Sequence, residues 1–303
     1  MNDKKNMTIK WITLAGKAEA KNGVITYTPT ISKDTQGNEI AQYATVASNI
    51  EFENGTISFK VKLLDKTSRC QIVFNSGNKQ VHVGINTNQF LFGIIKFNGQ
   101  QFENLDVTGS SDNFNIDEEI EVIIKVFGSG VSLYIDEVLV ASAYTIIEMA
   151  PIELFFTGYE GNNIVVSNFK VEPVKPRAFI VMQFTNEYNE LYEEVIKPVC
   201  ESHGLDCNRA DEFYTSTPIL ADIITSIKEC TIIIADITEN NPNVFYELGY
   251  AHAVSKPTIL LSERKRDKLP FDISSYRTIF YDNTIAGKTK VEKNLKKFLE
   301  NML

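Results

Sequence analysis

The densest run of chemistry-bearing residues is ADITENNPNVFYELGYAH, residues 235–252. Asp236 follows the β-branched run 231–235 and stands where such a strand would end. Asn241 has the side chain of a helix N-cap, and Pro242 suits the first helical position, where no N–H is needed. From there Asn243, Glu247, Tyr250 and Val254 recur at helical spacing on one face, while Val244, Leu248 and Ala251 form the face expected to pack on a sheet. Gly249 leaves room for a ligand or the sheet to approach closely. The spacing aims one carboxylate, Glu247, from the second helical turn toward the strand ends. A lone carboxylate in such a crevice suits glycosidic chemistry. Breaking a base–ribose bond builds an oxocarbenium-like centre, which a carboxylate can stabilise or bond to. The plainer reading of a glutamate on an amphipathic helix is a solvated side chain.

The elements needed to hold this constellation are legible around it. Strands are expected at 178–184, 205–211, 231–235, 257–261 and 278–281, and helices at 188–203, 218–229, 242–254 and 291–302. Gly204 is the expected C-cap of the first helix and Thr217 the N-cap of the second. This alternation predicts a flavodoxin-like α/β domain over 177–303, a five-stranded parallel sheet with helices on both faces. Ligands in such sheets bind beyond the carboxyl ends of the strands, near the switch point between strands one and three. The charged stretch Lys265, Arg266, Asp267 and Lys268 reads as a mobile surface loop or as a lid or partner contact.

Upstream, the period changes to two. Alternating or β-branched runs at 56–63, 71–74, 81–85, 119–127, 154–157 and 164–171 predict strands, and 131–134 with 138–141 predict a hairpin. Turn signals such as Asn54-Gly55, Asn98-Gly99 and Gly128-Ser129-Gly130 separate them. An antiparallel β-sandwich over residues 1–172 is expected, jelly-roll-like, joined through the proline-bearing linker 173–176. Residues 52–63, 119–141 and 155–169 resemble the concanavalin-like, or laminin-G-like, β-sandwiches, and the resemblance implies a sensor or interaction module with a carbohydrate or protein ligand.

Composition narrows the partners. The 303 residues carry a net charge of −9 without a cluster of Lys and Arg, which argues against duplex nucleic acid, although backbone amides at a helix N-terminus can still hold a nucleotide. The four cysteines, Cys70, Cys200, Cys207 and Cys230, have neither zinc nor disulfide-framework spacing, so no metal is expected and a reducing compartment is. The polar start MNDKKNMTIK and the lack of a long apolar run lead us to expect a soluble, cytoplasmic protein with no membrane segment.

Four stretches of the α/β half match one superfamily: FIVMQF (179–184), NRAD (208–211), ADIT (235–238) and NPNVFYELGYAHA (241–253) with Lys256-Pro257 after it. Together they resemble the nucleoside 2-deoxyribosyltransferases and the related Toll/interleukin-1 receptor-like (TIR-like) domains of bacterial defence proteins. The resemblance implies that Glu247 is the nucleophile or oxocarbenium stabiliser and that Asp236 orients the sugar or base. It implies a pocket lined by Met182, Gln183 and Phe184, with Asp211 at its rim, Asn243 on the ribose, and Tyr246 and Tyr250 against the base. Arg209 would hold a phosphate or pair with Glu212, and His252 would assist or be structural. The expected reaction is hydrolysis of NAD, as substrate and not cofactor, to nicotinamide and an ADP-ribose product. The alternatives are a deoxyribosyltransferase or deoxynucleotide N-glycosidase, and a module that binds a nucleotide without turning it over. A homo-oligomer is expected as well, because deoxyribosyltransferases generally complete their site from a neighbouring subunit.

Overall fold

The computed structural model describes residues 8–300, apart from 34, 78, 114, 116, 160–161, 213–218 and 267. The chain forms two compact units that divide between Val174 and Lys175, except that Phe127–Gly130 groups with the second.

In chain order, the first unit contains β1 (Trp11–Ala15), β2 (Ala18–Lys21), β3 (Val24–Tyr27), β4 (Ile31–Lys33), β5 (Glu39–Ala41), β6 (Tyr43–Phe52), β7 (Gly55–Lys62) and β8 (Arg69–Asn75). It continues with β9 (Gln80–Thr87), β10 (Phe90–Phe97), β11 (Phe102–Thr108), β12 (Glu119–Phe127), β13 (Gly130–Ile135), β14 (Val138–Tyr144), β15 (Ala150–Thr157) and β16 (Ile164–Pro173). Two seven-stranded sheets result, ordered β1-β6-β15-β8-β9-β10-β11 and β14-β13-β12-β7-β16-β3-β2. The period-two pattern makes this an antiparallel sandwich. On β7, Ile57, Phe59 and Val61 enter the core while Ser58, Lys60 and Lys62 face away. The shared core holds Tyr27, Phe52, Phe59 and Phe156, and the Tyr27 ring stacks on Phe156 with centroids 5.6 Å apart. Each such fully buried side chain contributes about 1.5–3 kcal/mol.

The expected hairpin forms with a two-residue turn. Asp136 and Glu137 both take positive φ (45° and 68°), as a primed turn requires. Asn54-Gly55 shows why glycine is needed there: φ is +125°, and a Cβ would lie 2.2 Å from the Glu172 carbonyl oxygen. The start of the expected linker is tied to the sandwich. Pro173 is in register with Gly55, and the Val174 N–H donates to Asn54 O at 3.1 Å.

The second unit reads β17 (Arg177–Val181), α1 (Asn186–Leu191), a π-helical turn Tyr192–Ile196, α2 (Lys197–Ser202), β18 (Asp206–Arg209), a 3-10 turn Ala210–Glu212 and α3 (Ile219–Glu229). It continues with β19 (Ile232–Asp236), α4 (Pro242–Ala253), β20 (Thr258–Glu263), a 3-10 turn Phe271–Ile273, β21 (Thr278–Tyr281) and α5 (Ile285–Glu300). The five strands pair in parallel in the order β18-β17-β19-β20-β21. Strand alternation sorts the two faces. Ala178, Ile180, Ile232, Ile234, Ile259 and Leu261 pack with α1, α2 and α5. Phe179, Val181, Ile233, Ala235 and Leu260 pack with α3 and α4. This is the doubly wound arrangement expected for a parallel sheet buried on both sides.

Element bounds differ from expectation where local chemistry intervenes. The first helix spans its expected length, but Pro198 lacks the N–H for a carbonyl one turn back, and a π-helical turn precedes it. The second strand ends at Arg209 because the Glu212 carboxylate accepts the Arg209 N–H at 3.1 Å and curls the chain into the 3-10 turn. The last helix begins at Ile285, six residues before the expected 291, with the Thr284 hydroxyl accepting the Gly287 N–H at 3.1 Å. Thr217 and Pro218 lie outside the described residues, as do the last three. No helix among the described residues is long and apolar enough to cross a membrane.

Candidate functional site

In the second unit, β17 lies between β18 and β19, so the chain leaves the sheet in opposite directions at this switch point and opens a cleft beyond the strand ends. The cleft encloses about 560 Å³. Met182, Gln183 and Phe184 leave β17 there, Ala210 and Asp211 leave β18, and Asn241, Asn243, Val244, Tyr246 and Glu247 come from the start of α4. Thus seven of the nine expected site residues share one cleft: Met182, Gln183, Phe184, Asp211, Asn243, Tyr246 and Glu247.

Helix α4 begins as its residues dictate. The Asn241 side chain accepts the Asn243 N–H at 2.9 Å, and Pro242 opens the helix. Val244, Leu248 and Ala251 turn to the core, which leaves Glu247 on the cleft wall. Among the described residues its carboxylate has no hydrogen-bond or ion-pair partner. Burial without compensation raises its pKa from 4.5 to about 7. At neutral pH this group is therefore poised between acid and carboxylate, the condition that suits proton transfer and nucleophilic work.

The remaining expected residues sit elsewhere. Asp236 is buried beneath the cleft. Its Oδ1 accepts the Thr238 N–H at 2.9 Å and its Oδ2 accepts the Tyr281 hydroxyl at 2.7 Å, so it ties β19 to β21. Burial raises its carboxyl above the ordinary value. Tyr250 packs against the core shared by α3 and α4, and Val254 is buried in the same core. The face shared with Glu247 meets the cleft only over the first two turns, since beyond them α4 lies over the sheet. Gly249 is exposed, and a Cβ there would meet nothing within 4 Å, so no close approach occurs.

Arg209 is buried and bound on several sides. Its Nε and Nη2 donate to Asp211 Oδ1 and Oδ2 at 2.7 and 2.6 Å, and Nη1 donates to Asn189 Oδ1 at 2.9 Å. The guanidinium lies 4.5 Å from the Tyr192 ring centroid and 5.1 Å from that of Phe184. Its carboxylate partner is therefore Asp211. Glu212 instead accepts from the Tyr192 hydroxyl and from Lys197 Nζ. Arg209 fixes the rim: it holds Asp211 and backs the Phe184 ring.

The charged stretch after β20 is anchored through Arg266, which donates to Ile237 O, to Thr238 O at 3.0 Å and to Asn240 Oδ1 at 2.6 Å. It steadies the loop between β19 and α4. Asp267 lies outside the described residues. His252 stacks flat on Tyr276, with ring centroids 4.3 Å apart, away from the cleft.

Sequence reasoning missed the wall supplied by α3. Ile219, Leu220 and Ile223 line the cleft, and Ile219 and Leu220 are 71% and 53% exposed. Phe184 and Tyr246 are exposed to a similar degree, 51% and 54%. An apolar pair in the first turn of a helix was the available signal, since a solvated first turn favours polar residues.

A second cavity, about 660 Å³, lies on the first unit. It occupies the face of the first sheet turned away from the core. On β8, Arg69, Gln71, Val73 and Asn75 line it while Cys70, Ile72 and Phe74 enter the core. His82 is the buried centre of its polar wall, with Nδ1 3.0 Å from Gln71 Oε1 and Nε2 3.1 Å from Gln80 Oε1. The Gln71 amide donates to Asn86 O at 3.1 Å, which turns its carbonyl to His82 and places the imidazole proton on Nδ1. Burial lowers the His82 pKa to about 4, so the ring is neutral, and Nε2, which then carries no proton, accepts from the Gln80 amide with its oxygen and nitrogen interchanged. Tyr43 stacks on Phe155, with centroids 5.7 Å apart, and Phe102 meets His82 edge-on.

No protein-family model matches the chain, and no curated protein matches it. Solved structures with backbone similarity include the carbohydrate binding module CBM66 from Bacillus subtilis, 14% identical with a TM-score of 0.38, covering 50% of this chain and 95% of the module. A prokaryotic β-1,3-1,4-glucanase (lichenase) derived from a mouse hindgut metagenome is 11% identical with a TM-score of 0.38, covering 54% of this chain and 93% of the glucanase. The galectin LEC-6 of Caenorhabditis elegans is 14% identical with a TM-score of 0.33, covering 40% and 84%. At these TM-scores the similarities assign nothing to this chain. Its two classes, an antiparallel β-sandwich and a doubly wound parallel α/β unit, rest on its own strand pairing.

Proposed function

We propose that the second unit cleaves an N-glycosidic bond, with NAD as substrate and Glu247 as the group that meets the anomeric carbon. The observation that carries this reading is Glu247 itself, a partly buried carboxylate without a partner among the described residues, on the wall of an aromatic-rimmed cleft at the switch point. The resemblance of residues 179–184, 208–211 and 235–253 to deoxyribosyltransferases and TIR-like domains supports it. In the reaction, the C1′–N bond breaks and its electron pair stays on the nicotinamide nitrogen, which becomes neutral. The Glu247 carboxylate stabilises the oxocarbenium or forms an ester with C1′. Water then adds at C1′ and releases a proton, giving nicotinamide and ADP-ribose. Phe184 and Tyr246 offer planar faces to the leaving ring. Asn243 stands beside Glu247 for a ribose hydroxyl. Asp236 acts as a positioning residue, because its carboxylate is spent on Thr238 and Tyr281.

The test is product analysis of NAD, and in parallel of deoxynucleosides, with concentrated wild type and Glu247→Gln. Nicotinamide released by wild type alone is the expected result. Base release or exchange from deoxynucleosides alone would replace this reading with that of a deoxyribosyltransferase or glycosidase. Binding of intact NAD without product would make the unit a nucleotide-binding module.

For the first unit we propose a saccharide as ligand. Its cavity combines planar polar side chains, Arg69, Gln71 and Gln80, with the aromatic rings of Tyr43, Phe155 and Phe102, a lining that suits hydroxyl arrays and sugar faces. Among the described lining residues Glu153 is the one carboxylate. Glycoside hydrolysis commonly uses a pair about 5–9.5 Å apart, so we assign binding without cleavage. Binding on a glycan array that is lost in Tyr43→Ala would support this, and an array blank for wild type would refute it.

A further inference from the structure

The charges of the cleft are few and their partners are known. Among its described lining residues, Asp211 and Glu247 are the ionisable groups with a charge to offer. Asp211 is held by both prongs of the Arg209 guanidinium and forms a closed, neutral pair with it. Arg266, beside the β19–α4 loop, is likewise spent on Ile237 O, Thr238 O and Asn240. One carboxylate therefore remains, set among Phe184, Tyr246, Met182 and Val244.

That surface is complementary to a flat ring bearing one positive charge. Aromatic faces attract such a ring, and a half-desolvated carboxylate gains by receiving it. The diphosphate of a dinucleotide finds no cationic side chain among the described lining residues. Building on the glycohydrolase reading, we propose that the cleft recognises the cationic nicotinamide–riboside half of its substrate, so that any N-ribosyl pyridinium is cleaved whether or not an adenylate is attached. Neutral nucleosides are then poor substrates for a physical reason: they leave the Glu247 carboxylate without a counter-charge. The raised pKa of Glu247 agrees with this, since an arriving cation stabilises the ionised form that the reaction uses.

The experiment uses the full chain at pH 8. Nicotinamide riboside, nicotinamide mononucleotide and NAD are compared as substrates by kcat/KM. The cation 1-methylnicotinamide and neutral nicotinamide are compared as ligands by calorimetry, on wild type, Glu247→Gln and Glu247→Asp. We expect the three substrates to agree within about tenfold, a spread of about 1.4 kcal/mol. The cation should bind at least about tenfold more tightly than nicotinamide on wild type and Glu247→Asp, and this preference should vanish in Glu247→Gln with nicotinamide affinity unchanged. Cleavage of NAD with the riboside and mononucleotide more than a hundredfold slower would overturn the inference and leave the glycohydrolase reading standing. NAD cleavage with no preference for the cation would do the same. Failure to cleave any of the three overturns that reading and this inference with it.

Discussion

Glu247→Gln is a stability experiment as much as an activity experiment. The folded chain raises the carboxyl pKa from 4.5 to about 7 because burial is not offset by a partner. In this pH window the folded state holds a proton that the unfolded state has released, so stability falls as pH rises from about 4.5 to 7 and is level above. At about 1.4 kcal/mol per pH unit the penalty has a ceiling near 3.4 kcal/mol, and partial exposure brings the expectation to about 2 kcal/mol. Glutamine has the same shape and no charge, so the variant escapes this loss. The assay is urea unfolding followed by circular dichroism at 222 nm, which reports this unit because α1 to α5 all belong to it. The variant should match wild type near pH 4.5 and exceed it by about 2 kcal/mol at pH 8. Equal midpoints at both pH values would refute the claim that Glu247 is desolvated and unpartnered, and with it the electrostatic argument for the site. A gain in stability on removing the active group is the usual signature of a strained functional residue.

If Glu247 acts as the ionised carboxylate, kcat/KM for NAD hydrolysis should rise about tenfold per pH unit below 7 and level off above, and an activity flat from pH 5 to 8 would contradict that role. Arg209→Ala removes a buried guanidinium with its packing on Tyr192 and Phe184 and its bonds to Asp211 and Asn189, and should destabilise the second unit by about 2 kcal/mol, with Arg209→Lys restoring only part because the fork is lost. Unfolding monitored at 222 nm would decide it. Gly55→Ala places a methyl 2.2 Å from Glu172 O at φ +125°, and should lower the midpoint of the first unit by the equivalent of more than about 2 kcal/mol. Trp11 emission reads that unit, because Trp11 packs edge-on against Phe169 with centroids 4.9 Å apart.

Much of this protein is written in local patterns. The period-two runs around β7 and β12 reveal sandwich strands because alternation alone decides which side chains face a core. The strand–helix alternation after residue 177 specifies a parallel sheet, since parallel neighbours require crossovers. Asn241, Pro242 and the Val244, Leu248, Ala251 stripe place Glu247 on the open side of α4 from sequence alone. Other features depended on contacts distant in sequence. Asp236 looks like a site residue until Tyr281, 45 positions later, takes its Oδ2. Arg209 looks like a free cation until Asp211, Asn189 and two aromatic rings close around it. Ile219 and Leu220 look like ordinary helix residues until the fold brings the end of β17 and the start of α4 to the same cleft. The cavity on the first unit follows the same rule, being assembled from all seven strands of the first sheet, which no short pattern connects. Sequence by itself determined many of the elements and which way each faces, because those depend on neighbours within a turn or a strand, but it did not single out β1 to β6, β10 or β11. Only the tertiary structure decided which charges remain unpaired, because pairing is a property of space and not of spacing.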